Sequence, residues 1–137
     1  MAGNLEVLRS LCGTPFMPNL KGYILALEEV SEAPYRIDRA LTQLLSSGCL
    51  RGLRGVIIGQ LEHCDLNDPE QITAREVFLE RLQHLRIPVV TGFPFGHQAS
   101  HNHPLPLGTQ VRLDANHGFL EFLEALRNPG IGVQAVT

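Results

Sequence analysis

No apolar run in this 137-residue chain approaches the roughly 20 residues a helix needs to cross a bilayer, which excludes a helical membrane span. The opening residues, Met1-Ala-Gly-Asn-Leu-Glu6, carry neither a basic segment nor a long apolar one. No secretory signal is therefore expected, and a cytoplasmic location is. Positive charge is sparse and scattered, with 11 basic residues against 14 acidic ones for a net charge of −3. Nucleic-acid binding would call for a clustered basic patch, so that class of partner is excluded. Ten of the eleven basic residues are arginine, a bias that fits genome composition better than chemistry.

Cysteine is also scarce. Cys12, Cys49 and Cys64 form an odd, widely spaced set without a Cys-x-x-Cys pair. They are expected to be buried or free thiols under reducing conditions, not a disulfide framework. There is no Gly-x-Ser-x-Gly elbow and no glycine-rich phosphate loop. The five serines fall in predicted helices or loops with no strand-to-helix turn behind them, so a serine nucleophile would have to come from elsewhere. Charged residues make up 18%, below the ~25% of an ordinary soluble domain, as expected if another body covers part of the surface.

What remains reads as one α/β domain over residues 1–137. Hydrophobic residues at 44% and a mean hydropathy of +0.03 exclude disorder. A chain of this size buries roughly two-thirds of its unfolded surface without needing staples. Asn4 predicts an N-cap for a short helix carrying Leu5, Leu8 and Leu11, which Gly13 and Pro15 end. From Tyr23 to Val30 the pattern is that of a strand apolar on both faces, as in a sheet covered on each side. Pro34 to Ser47 is the clearest helix, with Ile37, Leu41, Leu44 and Leu45 as its stripe, proline in the first turn and Gly48 beyond its end.

Gly55 to Leu61 predicts a second buried strand, followed by a polar loop over Glu62–Gln71. Thr73-Ala-Arg-Glu76 is a capping box opening a helix that packs through Val77, Leu82 and Leu85. Ile87 to Gly92 predicts a third strand, a loop rich in Pro, Gly and His covers 93–108, and a hairpin of Gln110–Asp114 and Phe119–Phe122 follows. The strand–helix alternation implies a mainly parallel central sheet with right-handed crossovers, to which the terminal hairpin adds antiparallel character. In such sheets ligands sit beyond the carboxyl ends of the strands. Glu28-Glu29, Glu62-His63-Cys64 and the 92–108 loop lie there.

Two residues stand out. Glu28 ends an apolar strand, where a half-buried carboxylate can orient a histidine through its Nδ1–H; alternatively it caps the next helix or pairs with Arg36 or Arg39. His97 follows Gly96 just past a strand, where an imidazole can act as general base, or simply be solvated. His97, His101 and His103, with His63 or Cys64 from outside, could also converge on zinc. Pro104 and Pro106 argue for a loop without the closed geometry that such a site demands.

Six segments, in order and with compatible spacing, resemble the C-terminal domain of LD-carboxypeptidases. They are Asn4-Leu5, Leu11-Cys-Gly-Thr-Pro15, Ile24-Leu-Ala-Leu-Glu28, Pro34-Tyr-Arg-Ile-Asp-Arg39, Gly96-His97 and Leu105-Pro-Leu-Gly108. This is the serine peptidase family that includes muramoyltetrapeptide carboxypeptidase and the microcin C self-immunity hydrolases. The resemblance implies a swivelling β/β/α-type domain and a Ser-Glu-His triad divided between two domains. Glu28 and His97 would come from this chain, and the serine with its oxyanion hole from an N-terminal domain that is absent here. It implies no cofactor and no metal.

The implied reaction releases D-alanine from murein tetrapeptide across an L–D peptide bond during cell-wall recycling. The segment Gln98–Pro104, with His101 and His103, departs from the family's usual Asn-x-Thr run, which bears on substrate preference. Alone, the chain is expected to be inactive, and its uncovered apolar face could support a homodimer. Two other readings compete. One is a non-catalytic binding or assembly domain, which requires Glu28 and His97 to lie too far apart to bond. The other is a metal hydrolase using the histidine loop.

Overall fold

The structure, a computed structural model, describes residues 1–66, 68, 70–98 and 102–123. The elements run β1 (Ala2–Asn4), α1 (Leu5–Ser10), β2 (Ile24–Val30), α2 (Pro34–Ser46), β3 (Gly55–Glu62), α3 (Ala74–Leu82), β4 (Val89–Thr91), β5 (Val111–Asp114) and β6 (Phe119–Phe122). The first four strands form one parallel sheet in the order β1-β2-β3-β4. β5 and β6 pair antiparallel as a separate two-stranded sheet. The architecture is thus the expected α/β arrangement, with the hairpin standing apart from the central sheet instead of joining it.

Each strand of the sheet lies beside its predecessor. With right-handed crossovers, that order places every connecting helix on the same face. The main core records this: Leu5 and Leu8 of α1, Ile37, Leu41 and Leu44 of α2, and Val77, Phe78 and Leu82 of α3 pack on Leu25, Leu27, Val56 and Ile58. The strand alternation sends Ala26 and Ile57 to the opposite face. There they meet Phe95, with Phe93, Leu105, Leu113 and Leu120 around them. The sheet is covered on both sides as expected, by helices on one and by Phe93, Phe95, Leu105 and the hairpin on the other.

Local chemistry explains the boundaries. Asn4 Oδ1 accepts from Val7 N at 3.1 Å and starts α1. Pro34 occupies the first turn of α2, where its missing N–H costs nothing, and Gly48 takes φ +76° just past the helix end. Thr73 and Glu76 form both halves of the capping box of α3.

Two features differ from the sequence reading. β1 was not expected, because three residues including glycine show no periodicity; pairing with β2 makes the strand. Phe78, fully buried in α3, was not among the expected packing residues, and Leu85 is only partly buried. Among the described residues no helix is long and apolar enough to cross a membrane.

Candidate functional site

The parallel register between β2 and β3 is interrupted beside Glu28. Leu27 pairs with Ile58, but Glu29 pairs with Leu61, so β3 carries one extra residue opposite Glu28. The extra residue falls at Gly59-Gln60. A bulge of this kind re-aims side chains and ends regular pairing. Past it, β3 no longer pairs with β4 but with the chain that leaves β4: Phe93 N donates to Ile58 O at 3.2 Å, and Gln60 N donates to Phe95 O at 2.9 Å. Gln60 Oε1 then accepts from Gln98 N at 2.8 Å. The residues on either side of His97 are therefore held on β3 through one glutamine.

Two glycines permit this close approach. A Cβ on Gly59 would stand 2.5 Å from the Phe95 carbonyl oxygen. Gly96 has φ +144°, and a Cβ there would stand 2.8 Å from Gln60 Cβ and Oε1. Side chains are thus excluded at both positions, and at Gly96 the backbone conformation is itself one that favours glycine.

The result is a bond across 69 residues of sequence: His97 Nδ1 lies 2.7 Å from Glu28 Oε2. An ionised carboxylate can only accept, so in this pairing Nδ1 carries the proton and Nε2 presents its lone pair. The Glu28 side chain is 10% exposed and the His97 side chain 52% exposed. The carboxylate is thus anchored inside while the imidazole stands at the surface. Among the described residues Nε2 has no hydrogen-bond partner. The pair can take up a proton at Nε2 while Glu28 fixes the ring and stabilises the imidazolium.

Glu29 points the other way. It is 2% exposed, and its carboxylate accepts from Asn4 Nδ2 at 2.6 Å, Val30 N at 2.9 Å and Glu6 N at 3.0 Å. Its charge is met by donors from the first turn of α1, where helix ends favour anions. Adjacent carboxylates thus face opposite sides of the sheet, one to the helices and one to the loop. The sequence reading places Glu29 beside Glu28 at the strand end without a role, and does not single out Gln60 or Gly59. A lone glycine after the apolar run Val56-Ile57-Ile58 was the available signal for a bulge.

Among the described residues Glu28 makes no ion pair with Arg36 or Arg39 and does not cap α2. Arg36 pairs with Glu32 at 3.6 Å, and the N-cap of α2 is Ala33, with no side-chain bond. Among the described residues no three His, Cys, Asp or Glu side chains converge as metal ligands. His101, one of the candidate zinc ligands, lies outside the described residues. His63 is exposed with φ 54°. Cys64 is buried, its thiol pushed up by that burial and donating to Glu62 O at 3.4 Å. A 530 Å³ cavity lies under the hairpin, lined in part by Ile24, Ile57, Leu105 and Leu120, and includes neither Glu28 nor His97.

Residues 1–113 match the family model described as LD-carboxypeptidase C-terminal domain. A putative carboxypeptidase of Synechocystis sp. is 42% identical over 124 residues, covering 90% of this chain and 41% of that protein. The murein tetrapeptide carboxypeptidase of Pseudomonas aeruginosa is 32% identical over 117 residues, covering 85% of this chain and 38% of that protein. Among solved structures, muramoyltetrapeptide carboxypeptidase from Oxalobacter formigenes superposes with a TM-score of 0.75 at 36% identity, over 87% of this chain and 42% of that one. The microcin C7 self immunity protein in complex with glutamyl sulfamoyl guanosine superposes with a TM-score of 0.73 at 27% identity, over 91% of this chain and 37% of that one. The chain therefore spans about two-fifths of the length of the relatives it matches.

Proposed function

Because the chain belongs to the LD-carboxypeptidase C-terminal domain family, we propose that it is the Glu- and His-bearing part of a serine carboxypeptidase that releases D-alanine from murein tetrapeptide. The observation that carries this reading is the 2.7 Å contact of His97 Nδ1 with the buried Glu28 carboxylate. His97 Nε2 takes the proton from a serine supplied by an N-terminal domain as that serine attacks the peptide carbonyl. The same proton is then given to the departing D-amino acid, and the acyl-enzyme is cleared when His97 activates a water. Glu28 keeps the imidazole in the required tautomer and stabilises the imidazolium without taking the proton itself.

The nucleophile and the oxyanion-hole donors belong, in this reading, to the partner domain. The length of the relatives supports a second domain, since this chain covers 41% of the Synechocystis protein. The half-exposed face of His97 is where the serine would approach. The substrate is murein tetrapeptide released during cell-wall recycling, and the place of action is the cytoplasm. A purely binding or assembly domain has no use for a carboxylate and an imidazole held at hydrogen-bond distance across two segments.

The test joins the 137-residue chain to the N-terminal domain of a matched relative, in one polypeptide or by co-expression, and follows D-alanine release from tetrapeptide. Turnover is expected from the pair, with a loss of about 10⁴-fold in kcat on Glu28→Gln or His97→Ala. An unchanged rate in either variant overturns the assignment of that residue.

A further inference from the structure

A second cluster of nucleophilic side chains lies where two helices end. Cys12 sits in the turn that closes α1, its N–H donating to Arg9 O at 3.0 Å, and Gly13 follows with φ +80°. Cys49 sits in the turn that closes α2, after Gly48 with φ +76°. The two helices are held side by side, with Arg9 Nη1 donating to Gln43 Oε1 at 3.0 Å. As a result Cys12 Sγ and Cys49 Sγ are 3.8 Å apart, although 37 positions separate them in the chain. Ser47 Oγ completes the cluster, 3.7 Å from Cys12 Sγ and 3.5 Å from the Cys49 amide nitrogen.

We propose that Cys12 and Cys49 form a reversible disulfide site, closed by a two-electron oxidant such as hydrogen peroxide and reopened by thiol reductants. The sulfurs are already in van der Waals contact. A disulfide needs them at about 2.0 Å, so they must approach by about 1.8 Å. Both residues lie in turns outside the helices proper, where side-chain rotation and small turn adjustments can supply that movement. Both thiols are partly exposed and within reach of a small oxidant, whereas Cys64 is buried. Burial pushes the Cys12 thiol up, which lowers its thiolate fraction and slows its own attack on an oxidant.

The chemistry balances with peroxide as the only co-reactant. One sulfur, as thiolate, attacks a peroxide oxygen; the O–O bond breaks, a sulfenic acid forms and one water leaves after protonation. The second sulfur then attacks the sulfenic sulfur, the S–O bond breaks and a second water leaves. Two thiols and one peroxide thus yield one disulfide and two waters. The bridge would tie α1, whose first turn holds the Glu29 carboxylate, to the end of α2. Neither sulfur touches Glu28 or His97, so the site is separate from the proposed triad residues.

The experiment treats the 137-residue chain with hydrogen peroxide, alkylates it under denaturing conditions and maps the peptides by mass spectrometry. A loss of about 2 Da per chain, carried by a peptide pair linking Cys12 to Cys49 and reversed by dithiothreitol, is expected. Cys64→Ser should behave like the parent chain, and Cys12→Ser and Cys49→Ser should each lose the link. Cys12 and Cys49 recovered separately alkylated would overturn the proposal. So would both sulfurs gaining oxygen without a link, or a bond that joins Cys64 or a second chain.

Discussion

A carboxylate removed from water must be met by a donor, and the two adjacent ones here are met from opposite sides. Glu29 takes three donors from the β1–α1 corner and from Val30, and Glu28 takes the His97 ring. The His97 orientation in turn depends on Gln60, whose backbone N–H and side-chain oxygen hold Phe95 and Gln98. Gln60→Met keeps the volume but removes the acceptor, and Gln60→Glu keeps the acceptor. In the first variant the low-field Nδ1 proton signal of His97, read by NMR, should broaden or vanish while the remaining spectrum stays folded. In the second it should persist. A sharp, unshifted signal in Gln60→Met would mean that the loop holds His97 without the glutamine.

Helix ends and one strand irregularity position these residues. The bulge in β3 gives Gln60 its direction, and the Thr73–Glu76 capping box fixes where α3 begins. Thr73→Ala should lower stability by about 1 kcal/mol in denaturant unfolding, because Glu76 N loses its 3.2 Å partner. Glu76 also reports on pH. Its carboxyl is held below the ordinary 4.5 by bonds from the Thr73 backbone N–H and then its hydroxyl. A lowered folded-state value means that the stabilisation is present above the unfolded value and fades as pH falls through the folded one. The contribution should therefore disappear in the window below about pH 4.5, and Glu76→Gln should flatten that part of the acid-unfolding curve.

Across the whole molecule, a sequential parallel sheet gives all its helices to one face and leaves the other to a loop and a hairpin. That second face carries the smaller core around Ala26, Ile57 and Phe95. It also leaves Leu107, Phe119 and Leu123 exposed at 61%, 42% and 53%. The isolated chain should show no D-alanine release from tetrapeptide, since it has no elbow serine, and robust turnover by the purified chain would sink the two-domain reading. Sedimentation at rising concentration should show self-association through the uncovered apolar surface. A clean monomer throughout would remove that expectation.

Much of this architecture was legible because it rests on local rules. Apolar alternation, proline and glycine at the ends of α2, and the capping box of α3 each act over a few residues, and these elements lie close to where the sequence places them. Glu28 and His97 were legible as residues by their place at strand ends and by family resemblance. Their meeting is implied by the resemblance alone and by nothing in the local pattern, because 69 positions of chain separate them and the loop docked on the β3 bulge closes that distance. The same holds for β1, which exists only by pairing with β2, and for Gln60, whose direction comes from a register shift between two strands. It holds again for the two thiols, brought together by helices that pack side by side. Local pattern determined the helices and the longer strands and where they stop. Tertiary packing decided which distant polar groups touch, because hydrogen bonds across a sheet depend on register and docking, which nearest-neighbour sequence does not encode.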